Sequence, residues 1–347
     1  MRILLLAHPY LNLYMDIVNE LREQGHRVTI IEESKIPGDP YHKNQNKLKR
    51  KILIYKWEIN KVSEKYWLNK FKLSILNQEY DLLFVIQGCT FNPILLEHLK
   101  KINPNIKSSL YIWDTNKIYD FYRNVRYFDK VFSFDLNDVN SDKNKKIQYL
   151  PFFWPKQIVN YDDLPIKYRI SSIGTNHDDR YFIYKKIITV LKKDNIPFYI
   201  KLILFPTKIS IKDKVKLLFY FIYKRKTKFE LLNLKHGVIK PDFVRYVYYE
   251  SDELCKIIAQ SEAVLDTDNE LQFGTTPRLI WALALNKHIY TTNRNIKMFP
   301  FFNEEFIHII DRNEPNLDWS LMNNINKNDS RKTVIEYRID NWVQNFL

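Results

Sequence analysis

Glycine is scarce, with 6 in 347 residues. The opening βα unit has no G-x-G-x-x-G, and the chain has no Walker A loop, so neither a dinucleotide nor a P-loop nucleotide is expected. Cysteine is scarcer still. Cys89 and Cys255 lie far apart and form no disulfide or thiolate framework. Cys89 follows an apolar run and Cys255 lies in an apolar helical pattern, so both read as packed thiols. There is no H-E-x-x-H, no Cys/His cluster and no G-x-S-x-G elbow, so no metal and no cofactor are expected. No apolar run approaches the ~20 residues of a spanning helix. The opening MRILLLA is too short for a signal peptide and lacks a cleavage site, which with the free cysteines suits the cytoplasm.

The chain is 45% hydrophobic and 27% charged, a globular balance, and long enough for two domains with proper cores. Net charge is +14, which implies an anionic partner: a nucleotide, a nucleic acid or an anionic membrane. Nucleic acid is not expected, because no helix-turn-helix, zinc or RNA-binding motif accompanies the charge.

Strand-like runs alternate with helical patterns. Arg2–Ala7, Arg27–Glu32, Leu82–Gln87, Lys107–Trp113, Lys130–Phe134 and Ile147–Leu150 read as strands, with helices at Met15–Gln24 and Pro93–Ile102. Pro151–Lys167 holds three prolines and little periodicity, and reads as a linker. Strands resume at Arg169–Ile173, Phe198–Leu204, Gly237–Lys240, Val264–Asp266, His288–Thr291 and Phe306–Ile310. Helices are expected over 180–194, 251–260, 278–285 and, amphipathic, 332–346. Alternation of this kind predicts α/β architecture, with parallel sheets covered by helices on both faces. The expected domains are 1–150 and 168–325, joined by 151–167, with 326–347 free to cross back to the first.

Two stretches stand apart. His42–Gln78 is polar, basic and aromatic; it reads as a solvated helical insertion or as an acceptor-side or membrane-facing surface. Lys208–Lys228 keeps Ile211, Val215, Leu218 and Ile222 on one helical face and closes on Lys224-Arg225-Lys226. It reads either as a core-facing helix with a basic end or as an interfacial helix whose cations meet anionic lipid.

The stretch Val264–Asn293 organises the rest. An apolar run ends at Asp266, a polar loop closes on Gly274-Thr275-Thr276-Pro277, and a helix follows. Thr276 is placed as N-cap and Pro277 as a first-turn residue. The free N–H groups and dipole of that helix start favour phosphate, and Arg278 can fork onto it. Asp266-x-Asp268 has the spacing of a metal-chelating acid pair, a common chance pattern, and is read as structural or substrate-adjacent.

Gln272-x-Gly274-x-Thr276-x-Arg278, Ala282-Leu283 and Thr291-Thr292-Asn293 resemble a family of bacterial lipopolysaccharide and capsular polysaccharide biosynthesis glycosyltransferases. Tyr111-Ile112-Trp113-Asp114, Phe128–Asp135 and Gly174-Thr175-Asn176-His177-x-Asp179-Arg180-Tyr181 continue the likeness in matching order across most of the chain. The resemblance implies a GT-B fold of two facing Rossmann-like domains with parallel sheets. It implies a metal-independent transferase, peripheral on the inner face of the membrane. The donor would be a nucleotide-sugar and the acceptor a lipid-linked or growing glycan; the alternative is a non-catalytic nucleotide-sugar or glycan-binding module. The donor diphosphate is expected between the Gly174-Thr175 loop and the Thr276–Arg278 helix start. Gly174, Thr175, His177, Arg180, Gln272, Gly274, Thr275, Thr276, Arg278 and Asn293 are its candidate contacts. An inverting transfer needs a base at the carboxyl end of a first-domain strand: Asp114 or His8, with Asp135 a third candidate. The chain departs from the pattern at Trp281, where the family usually has a glutamate. Ribose recognition would then fall to Asp268, Asn269 or Glu270, and the fold is expected to tolerate Trp281→Glu.

Overall fold

The computed structural model describes residues 1–8, 13–33, 39–41, 47–70, 73–177, 179–270, 272–322 and 330–347. Two six-stranded parallel sheets carry the fold. The first uses β1 (Arg2–Ala7), β2 (Arg27–Glu32), β3 (Leu82–Ile86), β4 (Lys107–Ile112), β5 (Lys130–Ser133) and β6 (Ile147–Tyr149), in the order β2-β1-β3-β4-β5-β6. The second uses β7 (Tyr168–Thr175), β8 (Phe198–Ile203), β9 (Val244–Arg245), β10 (Ser261–Asp266), β11 (His288–Thr291) and β12 (Ile307–Ile309), in the order β12-β11-β10-β7-β8-β9. Central strands such as Ile3–Ala7 and Leu82–Ile86 are buried on both faces, which is why they read as unbroken apolar runs.

Strand order fixes where a ligand can sit. In the first sheet the chain goes from β1 outward to β2, then returns to the other side of β1 as β3. In the second it goes from β7 through β8 to β9, then returns beside β7 as β10. Loops leaving such neighbours diverge to opposite faces and open a crevice at the carboxyl ends. The two crevices therefore lie at His8 and Gln87, and at Gly174-Thr175 and Asp266-Thr267.

Segments 151–167 and 330–347 form one seam. Phe152, Phe153, Trp154 and Ile158 are buried, so the proline-rich linker is packed core. Trp154 N donates to Tyr337 O (3.0 Å) and Ile339 N to Trp154 O (3.0 Å). That bridging draws Arg338 into extended backbone and breaks the single helix expected over 332–346. A 3-10 segment, Ser330–Tyr337, precedes a short helix, Ile339–Gln344. The terminal turn lies on the first sheet: Ser109 Oγ donates to Phe346 O (2.9 Å), and the Phe346 ring stacks on Phe84 at 4.4 Å.

Other local differences have plain causes. No strand forms at 237–240; Gly237, at φ +69°, ends the Lys226–Lys235 helix, and the pairing strand is β9. The 208–228 pattern splits at Lys224, at φ +51°, into helices Ile211–Ile222 and Lys226–Lys235. His42–Gln78 folds as helices Lys47–Ile59, Val62–Lys70 and Leu73–Leu76, with buried Trp57 and Trp67 fastening it to the first domain. Its first five residues, and Pro9 and Tyr10 after β1, lie outside the described residues.

Trp342 is fully buried in the seam; its Nε1 donates to Pro151 O (2.9 Å) and its ring meets Tyr111 edge-on at 4.9 Å. Trp342→Ala should cost about 3–5 kcal/mol, read as a lower denaturation midpoint; an unchanged midpoint would mean the seam does not hold the fold.

Candidate functional site

The second-domain crevice gathers most of the residues nominated from sequence. Gly174 closes β7, and two guanidiniums press against it. A Cβ there would lie 2.9 Å from Arg180 Nη1 and 3.1 Å from Arg278 Nη1, so only glycine fits without displacing them. Arg180 is buried; it donates to Thr267 Oγ1 (2.7 Å), Thr267 O (2.5 Å) and Thr175 O (2.5 Å). It thus clamps the end of β7 to the loop after β10. Arg278 donates to Ile173 O and pairs with Asp266 at 3.0 Å. Thr276 caps the Pro277–Ala284 helix through Leu279 N (3.3 Å) and donates its own hydroxyl to Asp266 Oδ1 (2.7 Å).

The remaining nominees spread around this centre. His177 is exposed, with Nε2 2.7 Å from Thr175 Oγ1. Thr275 is buried beside Gly274. Asn293 is buried and caps the turn after β11 through Asn295 N (2.9 Å). Asp268 does not pair with Asp266 about a common point. It binds Arg312 Nη1 (2.6 Å) and Thr292, while Asp266 binds Arg278, Thr276 and Thr291.

Sequence reasoning missed Arg312. It follows β12 at its carboxyl end and pairs with Asp179 (2.6 Å), Asp268 (2.6 Å) and Glu270 (3.4 Å). No spacing motif marks it; only its position after a strand would have flagged it. The acids nominated for ribose contact are thus already arranged by one arginine.

The loop leaving the second sheet reaches the first. Gln272 Nε2 donates to Asp114 Oδ1 (2.9 Å) and Phe273 N to Asp135 Oδ2 (2.9 Å). Gly274 pairs antiparallel with Asp135. A Cβ at 274 would collide with the Phe134 ring and come within 2.9 Å of Phe134 O. Asp135 is buried and also caps the next helix through Asn137 N (2.8 Å), so it serves as a latch and an N-cap. Asp114 is half-buried; it accepts from Gln272 and from Thr115 N (2.8 Å). His8, also half-buried, follows β1. In strand order His8 stands two strands from Asp114, roughly 10 Å. The two cannot share one proton transfer and are alternatives.

Trp281 is buried, and its Nε1 donates to Phe153 O (2.9 Å). The indole joins the second domain to the seam and does not face the crevice loops through that bond. A glutamate here would bury a charge and orphan the Phe153 carbonyl, so the expected tolerance of Trp281→Glu does not survive the geometry.

Glu33, one residue beyond β2, was also missed. It is buried, and its Oε1 accepts from Thr90 N (2.5 Å) and Thr90 Oγ1 (2.8 Å). Burial pushes its carboxyl up to about 7.

Among the described residues no group of three or more His, Cys, Asp or Glu is placed to hold a metal, and no helix is long and apolar enough to cross a membrane. No family model and no curated protein sequence matches the chain. Solved structures do. The α,α-trehalose-phosphate synthase (UDP-forming) of Burkholderia xenovorans, in complex with glucose-6-phosphate, aligns over 100% of this chain and 99% of its own, at TM-score 0.57 and 11% identity. A trehalose-6-phosphate synthase, OtsA, aligns over 100% and 98%, at TM-score 0.57 and 12% identity. A structure of trehalose-6-phosphate from Escherichia coli bound with UDP-2-fluoro glucose aligns over 100% and 94%, at TM-score 0.51 and 10% identity. The whole chain therefore has the two-domain GT-B fold.

Two outcomes test the site's framework. Gly274→Ala should open the latch, costing about 1–3 kcal/mol of stability by overpacking, read as a lower melting midpoint, and enlarging the radius of gyration in X-ray scattering; unchanged scattering would show that the latch does not hold the domains together. The second concerns pH. Glu33 holds its proton more tightly folded than unfolded, so its contribution is intact below about 4.5 and is lost as pH rises through about 7. Glu33→Gln should flatten that fall and be the more stable form at pH 8, by about 3 kcal/mol. Parallel pH–stability curves for the two proteins would disprove the assignment.

Proposed function

We propose that the protein is a glycosyltransferase that moves a sugar from a nucleotide-sugar donor to a lipid-linked or growing surface polysaccharide. Its place would be peripheral, on the inner face of the membrane. One observation carries this reading. Two of the motifs that resemble the lipopolysaccharide and capsule enzymes, Gly174–Tyr181 and Gln272–Arg278, fall on the segments that follow β7 and β10 at the second-domain crevice. The UDP-2-fluoro glucose bound in the Escherichia coli structure of the same fold adds support for a UDP-linked donor.

In this reading the diphosphate meets the N–H groups at the start of the Pro277–Ala284 helix, with its positive dipole end. Arg278, fixed by Asp266, steadies the charge that develops on the leaving diphosphate. Arg180, bonded to Thr267 and Thr175, shapes the crevice and positions Thr175. On the opposite wall Asp114 takes the acceptor hydroxyl's proton as the C–O bond forms, and Gln272 orients that carboxylate across the gap. His8 fills the same role if the acceptor sits nearer β1. A retaining transfer would need neither.

Titration calorimetry with uridine diphosphate tests the donor site. Arg278→Ala should weaken binding by about 1.5–3 kcal/mol, the range for hydrogen bonds to charged groups. Because the change also leaves Asp266 without its cation, Arg278→Lys serves as the folded control. Unchanged affinity in a folded Arg278→Ala protein would sink the assignment.

A further inference from the structure

The Ile211–Ile222 helix has none of its twelve residues buried. Its apolar stripe, Ile211, Val215, Leu218 and Ile222, recurs at i, i+4, i+7 and i+11. That stripe faces outward, with Ile211 84% and both Leu218 and Ile222 61% exposed. The half-buried residues, Asp213, Leu217 and Tyr220, lie on the opposite side. A helix folded into a core does the reverse. Lys212 and Lys216 flank the stripe on one side and Lys214 on the other, and Lys224, Arg225 and Lys226 close its end. This is the pattern of a helix lying in the plane of a lipid interface, apolar apex inward and cations at the headgroups.

We infer that this helix is the docking face for an anionic lipid bilayer, and that the crevice takes its acceptor from that bilayer; the second half rests on the transferase reading above. Charge chooses the occupant. From 208 to 228 there are eight lysines and arginines and one acid, Asp213, which already pairs with Lys216 (3.7 Å) and His236 (3.4 Å). A second copy of the chain would set two such clusters face to face across a twofold axis, where like charges repel. An anionic headgroup layer neutralises them while the acyl boundary covers the stripe.

Position supplies the link to the crevice. The helix follows the carboxyl end of β8, where Asn176 N donates to Ile203 O (3.1 Å) and ties that end to the Gly174-Thr175 loop. Exposed Phe205 after β8 and Tyr248 after β9 pack in a tilted pair, ring centroids 4.7 Å apart. These exposed rings lie at the same carboxyl end of the second sheet as the donor loops.

Vesicle co-sedimentation tests the surface, using phosphatidylcholine alone and an equal mixture with phosphatidylglycerol. The protein should pellet with the mixture and not with phosphatidylcholine. Two variants on exposed positions, Leu218→Asp with Ile222→Asp, and Lys224→Glu with Arg225→Glu and Lys226→Glu, should each weaken pelleting by about tenfold or more. Equal pelleting with both vesicles, or pelleting untouched by the Leu218–Ile222 variant, would overturn the docking face. So would a vesicle-free dimer in gel filtration that this variant abolishes. Uridine diphosphate affinity of the same variants, measured without vesicles, separates the two readings. Retained affinity with lost pelleting supports both halves. No affinity in any form overturns the acceptor link, while the sedimentation result alone decides the surface.

Discussion

The arrangement of the second domain depends on one buried carboxylate. Asp266 ends β10 with almost no exposure, where an unpaired charge would be costly. It is satisfied by Arg278 at 3.0 Å, Thr276 at 2.7 Å and Thr291 at 3.2 Å. Those three contacts fix the start of the following helix, the orientation of its arginine and the end of β11. With the helix start fixed, Arg278 reaches back to Ile173, and Gly174 can pass beneath two guanidiniums. Without this set of bonds the crevice at the switch point would have walls but no defined charge.

The two domains are held together by a different kind of force. A mainly apolar seam of Phe152, Phe153, Trp154, Trp281 and Trp342 buries surface from both domains and from the terminal segment. Its indoles each donate to a backbone carbonyl: Trp154 to Val334, Trp281 to Phe153, Trp342 to Pro151. Large rings that also satisfy buried carbonyls make the seam directional as well as apolar. Across the opening, Asp114 and Asp135 receive Gln272 and Phe273, so a polar latch faces the apolar seam. The position occupied by Trp281 thus belongs to the seam.

The Ile211–Ile222 helix illustrates how composition and placement differ. Its residues allow a core-facing helix and an interfacial one equally well, because both need one apolar stripe. Only the contacts of the surrounding chain decide which side is covered, and here they cover Asp213, Leu217 and Tyr220.

Local physics made much of this protein legible in its sequence. Short unbroken apolar runs such as RILLLA and LLFVI suit strands buried on both faces, and their alternation with helical patterns pointed to parallel sheets covered by helices. Thr276-Pro277 marked a helix start because an N-cap hydroxyl and a fixed φ act within a single turn. What escaped the sequence depends on partners distant along the chain. Arg312 is defined by Asp179, 133 residues away, and Glu33 by Thr90, 57 residues away. Arg338 leaves the helix because Trp154 bridges to it, and no periodicity near 338 records that. The 237–240 pattern suited a strand, yet pairing with β8 went to Val244–Arg245, which lies where the edge of the sheet is open. Periods, caps and turns are properties of a few consecutive residues, so the sequence alone determined them. Burial of charge, the direction of an apolar face and the closing of two domains are settled by surfaces that meet only in three dimensions.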